Sequence, residues 1–240
     1  MFAINVPVDY ATIQAAIDYS EDGDTVSVAA GTYLENINFN GKNIAVIGED
    51  RETTIIDGGQ NGSVISNVNI LESHLANFTI QNGNGQHGGG IFVQNSNISI
   101  INCLVKDNLA SASGGDGGGI CLTGTGNAYI SNLLLINNVA NGAGGGIVFG
   151  NDTTYIINST FNGNISNNYS NSDFWVSSSI TTMKNSILWD DNIWFYPEPY
   201  IGTLDIIFSN IQGGWEGEGN IDADPQFTDP DNGDFTLQPS

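Results

Sequence analysis

The sequence predicts an all-β, single-stranded right-handed parallel β-helix of about 27 residues per coil, and three observations carry that reading. The run GGGI recurs at 88–91, 117–120 and 144–147, spaced 29 and 27 residues apart. Five segments, 76–82, 101–108, 131–138, 157–164 and 184–192, align on Asn77, Asn102, Asn132, Asn158 and Asn185 with apolar residues at fixed offsets. Only 12% of the residues are charged, about half the usual share, while β-branched and aromatic residues are plentiful, which disfavours exposed helix and suits pleated surfaces. A repeat this short has no room for a helix in every unit and fits three short strands and three turns per coil, each coil stacking on the next at the interstrand distance of about 4.8 Å.

The elements follow in order within one β-helix domain spanning 1–240. Residues 1–24 form an N-terminal cap. Thr12 is an N-cap for a short helix over IQAAIDY, with Ile13, Ala16 and Ile17 on one face, and this helix plugs the open end of the core. The coils run over 25–212, beginning with DTVSVAAGTYLENI, KNIAVIGED and TTIIDGG. In the repeats, Leu75, Ile100, Ile130, Ile156 and Met183 stand two residues before the aligned Asn, and Ile80, Val105, Leu135, Phe161 and Leu188 three after. These columns are the inward ladder. The Asn column is also expected to face inward at a bend, each amide bonding backbone and its neighbours above and below. The triple glycines either supply positive φ or let the backbone pass close to neighbouring coils. An inserted loop is expected near 189–200, and 213–240, with Pro225, Pro230 and many turn residues, is an irregular tail packed over the C-terminal end.

Charge excludes whole classes of function. Four basic residues, Lys42, Arg51, Lys106 and Lys184, stand against 26 acidic ones, a formal net charge of −22. No cationic stripe exists for a phosphate backbone, so nucleic acid is excluded as a partner, and an acidic polysaccharide is disfavoured unless divalent cations bridge it. No apolar run approaches 18 residues, so no membrane insertion is expected. The opening MFAINVPVDYATIQ has no hydrophobic h-region, so a signal peptide is either removed or never present. Cys103 and Cys121 either pair or stay as buried thiols, and two cysteines in 240 residues favour the thiols.

The opening VDYATIQAAIDYSEDGDTVSVAAGTYLENINFNGKNIAVIGED, the GGGI coils and the closing DADPQFTDPDNGDFTLQPS together resemble the pectin-lyase-like superfamily, in its bacterial secreted or surface-anchored branch. The resemblance covers almost the whole chain and implies the fold, an extracellular or cell-surface location, and a polysaccharide or surface glycan as partner. Activity is not implied, because one scaffold carries lyases, hydrolases, epimerases and adhesins. The three-Asp cluster with His, Arg and Lys that marks the polygalacturonan hydrolases is missing from this sequence.

Candidate catalytic groups are therefore few. His87 and Asp116 precede successive triple glycines, which stacks them on adjacent coils where a carboxylate orients an imidazole. Lys106 beside Asp107 is the nearest approach to the basic residue and calcium ligand of a lyase, against the plainer reading of a solvated surface pair. Aromatic residues crowd the C-terminal third, and Trp189, Asp190, Asp191, Trp194, Tyr196 and Trp215 are the candidate ligand-binding set, with aromatic faces suited to stacking on sugar rings. Asp222, Asp224, Asp229, Asp231 and Asp234 offer oxygens in a pattern that Ca²⁺ accepts, though without an EF-hand's closing Glu. The functional expectation is a noncatalytic extracellular or cell-surface domain contacting carbohydrate through its C-terminal aromatics. The alternative is a polysaccharide lyase or other polysaccharide-active enzyme.

Overall fold

The computed structural model describes residues 2–168, 173–190, 192–195 and 202–239, with the backbone alone at 194 and 195. Parallel strands stack into three long sheets and one short one. Sheet A has nine strands, from Ala3–Val6 and Thr25–Val28 to Ile180–Lys184 and Thr203–Ile207; sheet B has eight, from Gly31–Leu34 to Asn210–Ile211; sheet C has seven, from Ile37–Asn38 to Ile193–Phe195. A four-stranded sheet D of two-residue strands, Asn84–Gly85 through Ile165–Ser166, lies between B and C in chain order. The central coils therefore run A, B, D, C and return to A. Register partners in sheet A, Ala45, His74, Ser99, Tyr129, Tyr155 and Thr182, step by 25 to 30 residues per coil around the expected repeat.

Alternation along each strand makes the core. Leu75, Ile100, Ile130, Ile156 and Met183 on sheet A and Ile80, Val105, Leu135, Phe161 and Leu188 on sheet B are all buried, as their spacing requires. Parallel register puts like on like, so each apolar column is a continuous ladder. The Asn column behaves otherwise. Asn77, Asn102, Asn132, Asn158 and Asn185 sit at the A-to-B corner with φ between 51° and 63°, and their side chains are exposed or half-buried. The expectation that they face inward is corrected: a two-residue corner needs one left-handed residue, Asn tolerates that conformation best among side-chain-bearing residues, and its amide then points outward. The next residue turns in, giving Phe78, Cys103, Leu133, Ser159 and Ser186.

An interior amide ladder does exist, after sheet B. Asn108, Asn138 and Asn164 are almost fully buried, and Nδ2 of Asn108 donates to Oδ1 of Asn138 at 3.0 Å, whose own Nδ2 donates to Oδ1 of Asn164 at 2.9 Å. Each Oδ1 also accepts a backbone N–H from the coil before, as Asn138 does from Asn108 N at 3.1 Å. Backbone groups that the bend would strand are thereby paired. Sheet D leads to the triple glycines. The first of each has φ of +56°, +69° and +65°, while at the second an added Cβ would stand 2.3–2.5 Å from a backbone atom of the neighbouring coil. Both expected roles are present, divided between successive glycines.

The helix Ile13–Tyr19 buries Ile13, Ala16 and Ile17 against the first coil. Thr12 caps it by accepting from Ala15 N at 3.2 Å, the Glu35 carboxylate takes the Ile13 and Gln14 N–H groups at 3.0 Å each, and the Lys42 ammonium donates to the Ile17, Asp18 and Ser20 carbonyls. The tail does two things. Ile211 N donates to Ile221 O and Ser209 N to Asn220 Oδ1, so 217–221 closes the last coil as expected. Residues 223–239 then double back along the outside of sheet B as an antiparallel hairpin, Phe227–Asp229 with Asp234–Leu237, so the tail is not confined to the C-terminal end. Cys103 and Cys121 are buried free thiols, with burial pushing them up to about 11 and about 12. Among the described residues, no helix is long and apolar enough to cross a membrane.

Candidate functional site

The C-terminal hairpin stands over the outward face of sheet B and divides it into two clefts that share Phe235 as a wall. The first has a volume of about 730 Å³ and is lined from the coils by Asn137, Asn162, Trp189 and Asp190, and from the tail by Asp224, Gln226, Phe227, Pro230, Asp231, Phe235 and Gln238. The second, about 630 Å³, is lined by Arg51, Glu52, Leu104, Leu134, Thr160, the corner residues Asn102, Asn132 and Asn158, and tail residues 232–236.

Local chain geometry explains the first cleft. Sheet B presents one outward column of Asp57, Gln81, Lys106, Ile136, Asn162 and Trp189, in register. The residues after it, Asn82, Asp107, Asn137 and Asp190, adopt left-handed φ of 55° to 57° and so project from the corner. Asn162 Nδ2 donates to the Trp189 carbonyl at 2.9 Å, and Asp190 N donates to Gln212 Oε1 at 2.6 Å, which fixes this corner. Across the gap, Phe227 and Phe235 pack edge to face with centroids 5.0 Å apart, and Phe227 is the tail's one strongly buried apolar side chain among the described residues. The result is an open groove with two aromatic surfaces, three solvated carboxylates, Asp190, Asp224 and Asp231, and side-chain amides from both walls.

Two of the candidate sets meet here. Trp189 and Asp190, proposed for ligand binding, face Asp224 and Asp231 from the calcium set. Asp229 accepts from Asn232 Nδ2 at 2.8 Å, and Asp234 takes the Thr236 N–H and hydroxyl, which holds its carboxyl below the usual range; both serve turns. Asp222 is exposed outside the cleft. Among the described residues no three His, Cys, Asp or Glu side chains are grouped closely enough to hold a metal ion. Trp215 packs against the end of the core instead of joining the groove. Trp175 is buried with Cys121, Ala143 and Val148 outside sheet C. Asp191 and Tyr196 lie outside the described residues, as does the side chain of Trp194.

The stacking of His87 and Asp116 on adjacent coils is observed without the carboxylate–imidazole bond. Asp116 donates its backbone N–H to His87 Nδ1 at 3.1 Å, and its carboxylate accepts from Ala143 N at 2.8 Å on the next coil. Loop backbone satisfies both groups. Lys106 lies 3.6 Å from the Asp107 carboxylate, both partly exposed, one coil below Asn137 and so at the rim of the groove. The groove residues not anticipated are Asn137, Asn162, Gln226, Phe227, Pro230, Phe235 and Gln238. Asn162 belongs to an outward column already visible in the repeat, but nothing local in the sequence folds the tail back onto it. Asp173 is a further buried carboxylate, 3% exposed, standing in the column of Gly119 and Gly146. Burial pushes it up to about 6, opposed by N–H bonds from Asn192 and Ser166.

No family model and no curated protein sequence matches this chain. Solved structures do. A pectin methylesterase from Aspergillus niger superimposes with a TM-score of 0.51 at 15% identity, covering 92% of this chain and 90% of that one. Pectin methylesterase PemA from Erwinia chrysanthemi gives 0.52 at 10% identity, covering 90% and 80%. A pectin methylesterase variant in complex with a hexasaccharide gives 0.53 at 11% identity, again covering 90% and 80%. The fold is that of the pectin methylesterases. That likeness and the stacked parallel sheets bear out the parallel β-helix expected from the sequence; a bacterial branch is a finer statement that these matches do not carry. They also correct the expectation of a noncatalytic display domain, since the scaffolds matched across about nine-tenths of this chain are those of enzymes.

Proposed function

We propose that this chain is a polysaccharide-active enzyme working outside the cell, with its substrate in the groove between sheet B and the C-terminal hairpin. One observation carries the reading: the groove joins the aromatic surfaces of Trp189 and Phe235 to Asp190, Asp224 and Asp231 and to the amides of Asn162, Gln226 and Gln238. Aromatic faces bind the apolar faces of sugar rings, and carboxylates beside amide donors are the equipment of hydrolysis. One carboxylate acts as nucleophile or base, a second as acid, and amide N–H groups stabilise the developing oxyanion. The pectin methylesterase scaffolds, one of them holding a hexasaccharide, support a glycan chain as substrate. The acidic composition suits an extracellular setting.

Hydrolysis is favoured over elimination by what lines the groove. A lyase needs a basic residue to take the proton α to a uronate and a cation to neutralise that carboxylate, and no Lys or Arg is among the lining residues. The test is incubation with methyl-esterified pectin, polygalacturonate, xylan, alginate and chitosan, reading reducing ends, released acid and unsaturated uronide in parallel. Reducing ends or acid without unsaturated product, falling at least tenfold in Asp190→Asn and in Asp224→Asn, is the expected result. Product formation unchanged in both variants places the chemistry elsewhere, and no product from any substrate refutes the enzyme reading on this panel.

A further inference from the structure

We infer that the groove selects glycans bearing free amino groups, a cationic amino-sugar chain, and rejects polyuronates. This rests on the groove being the substrate site. Three exposed carboxylates, Asp190, Asp224 and Asp231, line it together with the stacking surfaces of Trp189 and Phe235, and no cation does. Asp107 continues the acidic edge along the rim, with its own cation, Lys106, already 3.6 Å away.

The other cations of the molecule stand outside this groove. Lys42 is committed to three carbonyls at the end of the N-terminal helix, at 2.6–2.8 Å. Arg51 Nε donates to Glu52 at 2.8 Å. Lys184 lies over the Phe208 ring, 5.3 Å from its centroid. With Lys106, these are all the Lys and Arg residues of a chain carrying −22. A polyuronate chain brings a carboxylate on every ring into this field with nothing to neutralise it, and like charges facing each other exclude a ligand as firmly as missing contacts do. A protonated amino sugar gains the reverse. Its apolar ring face stacks on an aromatic ring while its ammonium meets a carboxylate, and the field of the whole molecule draws it in.

Three hexamers separate the readings by titration calorimetry at about pH 5, where free amines are protonated: glucosamine, N-acetylglucosamine and galacturonate. The expected order is glucosamine tightest, by on the order of tenfold over its acetylated form at low salt, with galacturonate showing no binding. Raising the salt should shrink that advantage. Because so acidic a protein attracts any polycation, the site is assigned with variants. Asp224→Asn with Asp231→Asn should abolish the amino-sugar preference, Trp189→Ala should weaken both glucosamine polymers, and the remote pair Glu72→Gln with Asp205→Asn should leave both unchanged. Equal or tighter binding of the acetylated or galacturonate hexamer overturns the inference, and so does an equal loss in the remote pair. Turnover of uronate or neutral substrates without preference for the amino sugar refutes this inference and leaves the enzyme reading standing. Retained glucosamine-hexamer binding with no turnover of any glycan refutes the enzyme reading alone.

Discussion

Asn67 occupies an inward column of sheet C whose other members are apolar: Val93, Leu122, Phe149 and Val176. It is fully buried, and neither its Oδ1 nor its Nδ2 has a hydrogen-bond partner. A buried amide without partners costs roughly 1–3 kcal/mol, and an apolar side chain of similar size removes that cost without opening a cavity. Asn67→Leu is therefore expected to raise the urea midpoint with an unchanged m-value, a gain of about 1 kcal/mol or more; a loss of stability shows that the amide has partners it needs. Asp173 gives a pH-dependent counterpart. Its folded pKa of about 6 lies above the ordinary 3.8, so between those values the native state binds more protons than the unfolded chain and stability falls as pH rises. Below that window the carboxyl is neutral in both states, and above it the full cost of the buried charge is present. Asp173→Asn loses a bond at Asn192 but carries no charge, so its melting temperature relative to the unaltered protein should climb as pH rises from about 4 to 6.5. A difference independent of pH means the carboxyl is solvated and unshifted.

At the scale of the element, two asparagine columns with one side chain do different work. Asn138 sits inside, accepting from Asn108 and donating to the Val105 and Ile136 carbonyls and to Asn164. Asn132 sits outside at a left-handed corner. Asn138→Ala strands several buried groups and should cost roughly 2–5 kcal/mol in urea unfolding, whereas Asn132→Ala loses only the conformational preference, about 1 kcal/mol. Similar costs for both would mean that the interior ladder contributes nothing beyond its corner. Sequence alone exposed the periodicity of the outer column and the apolar columns flanking it, because period and hydrophobicity are local properties. It did not distinguish which column turned inward. That depends on which residue of a two-residue corner takes positive φ, and Asn132 and Asn138 read alike as amides in an apolar run. The triple glycines were legible as close-packed turns for the opposite reason, since glycine has only those uses in a repeated coil.

For the whole molecule, the site depends on the tail meeting the solenoid's side. Each outward column, taken singly, is poor in catalytic groups, and this made a display surface the natural expectation. The hairpin changes the inventory by setting Asp224, Asp231, Gln226 and Phe235 opposite Asn162, Trp189 and Asp190. That contact joins residues far apart in sequence through a weakly patterned segment, so no period announces it. Its anchor is Phe227, 9% exposed and packed edge-on against Phe235. Ala223 is pinned to the last coil, its N–H donating to Asn210 Oδ1 at 3.1 Å and its carbonyl accepting from Asn210 Nδ2 at 2.6 Å, whereas beyond it the bonds of Thr228 with Thr236 and of Gln238 Nε2 with the Phe227 carbonyl stay within the tail. Phe227→Ala should accordingly release the hairpin while leaving the ladders of sheets A to D intact. The urea midpoint of the coils should shift little, limited proteolysis should cut within 223–239 well before the coils, and hydrolysis should fall with it. If the variant resists cleavage and keeps its activity, the hairpin is held by contacts other than Phe227; if cleavage rises while activity persists, the groove is not where the substrate lies.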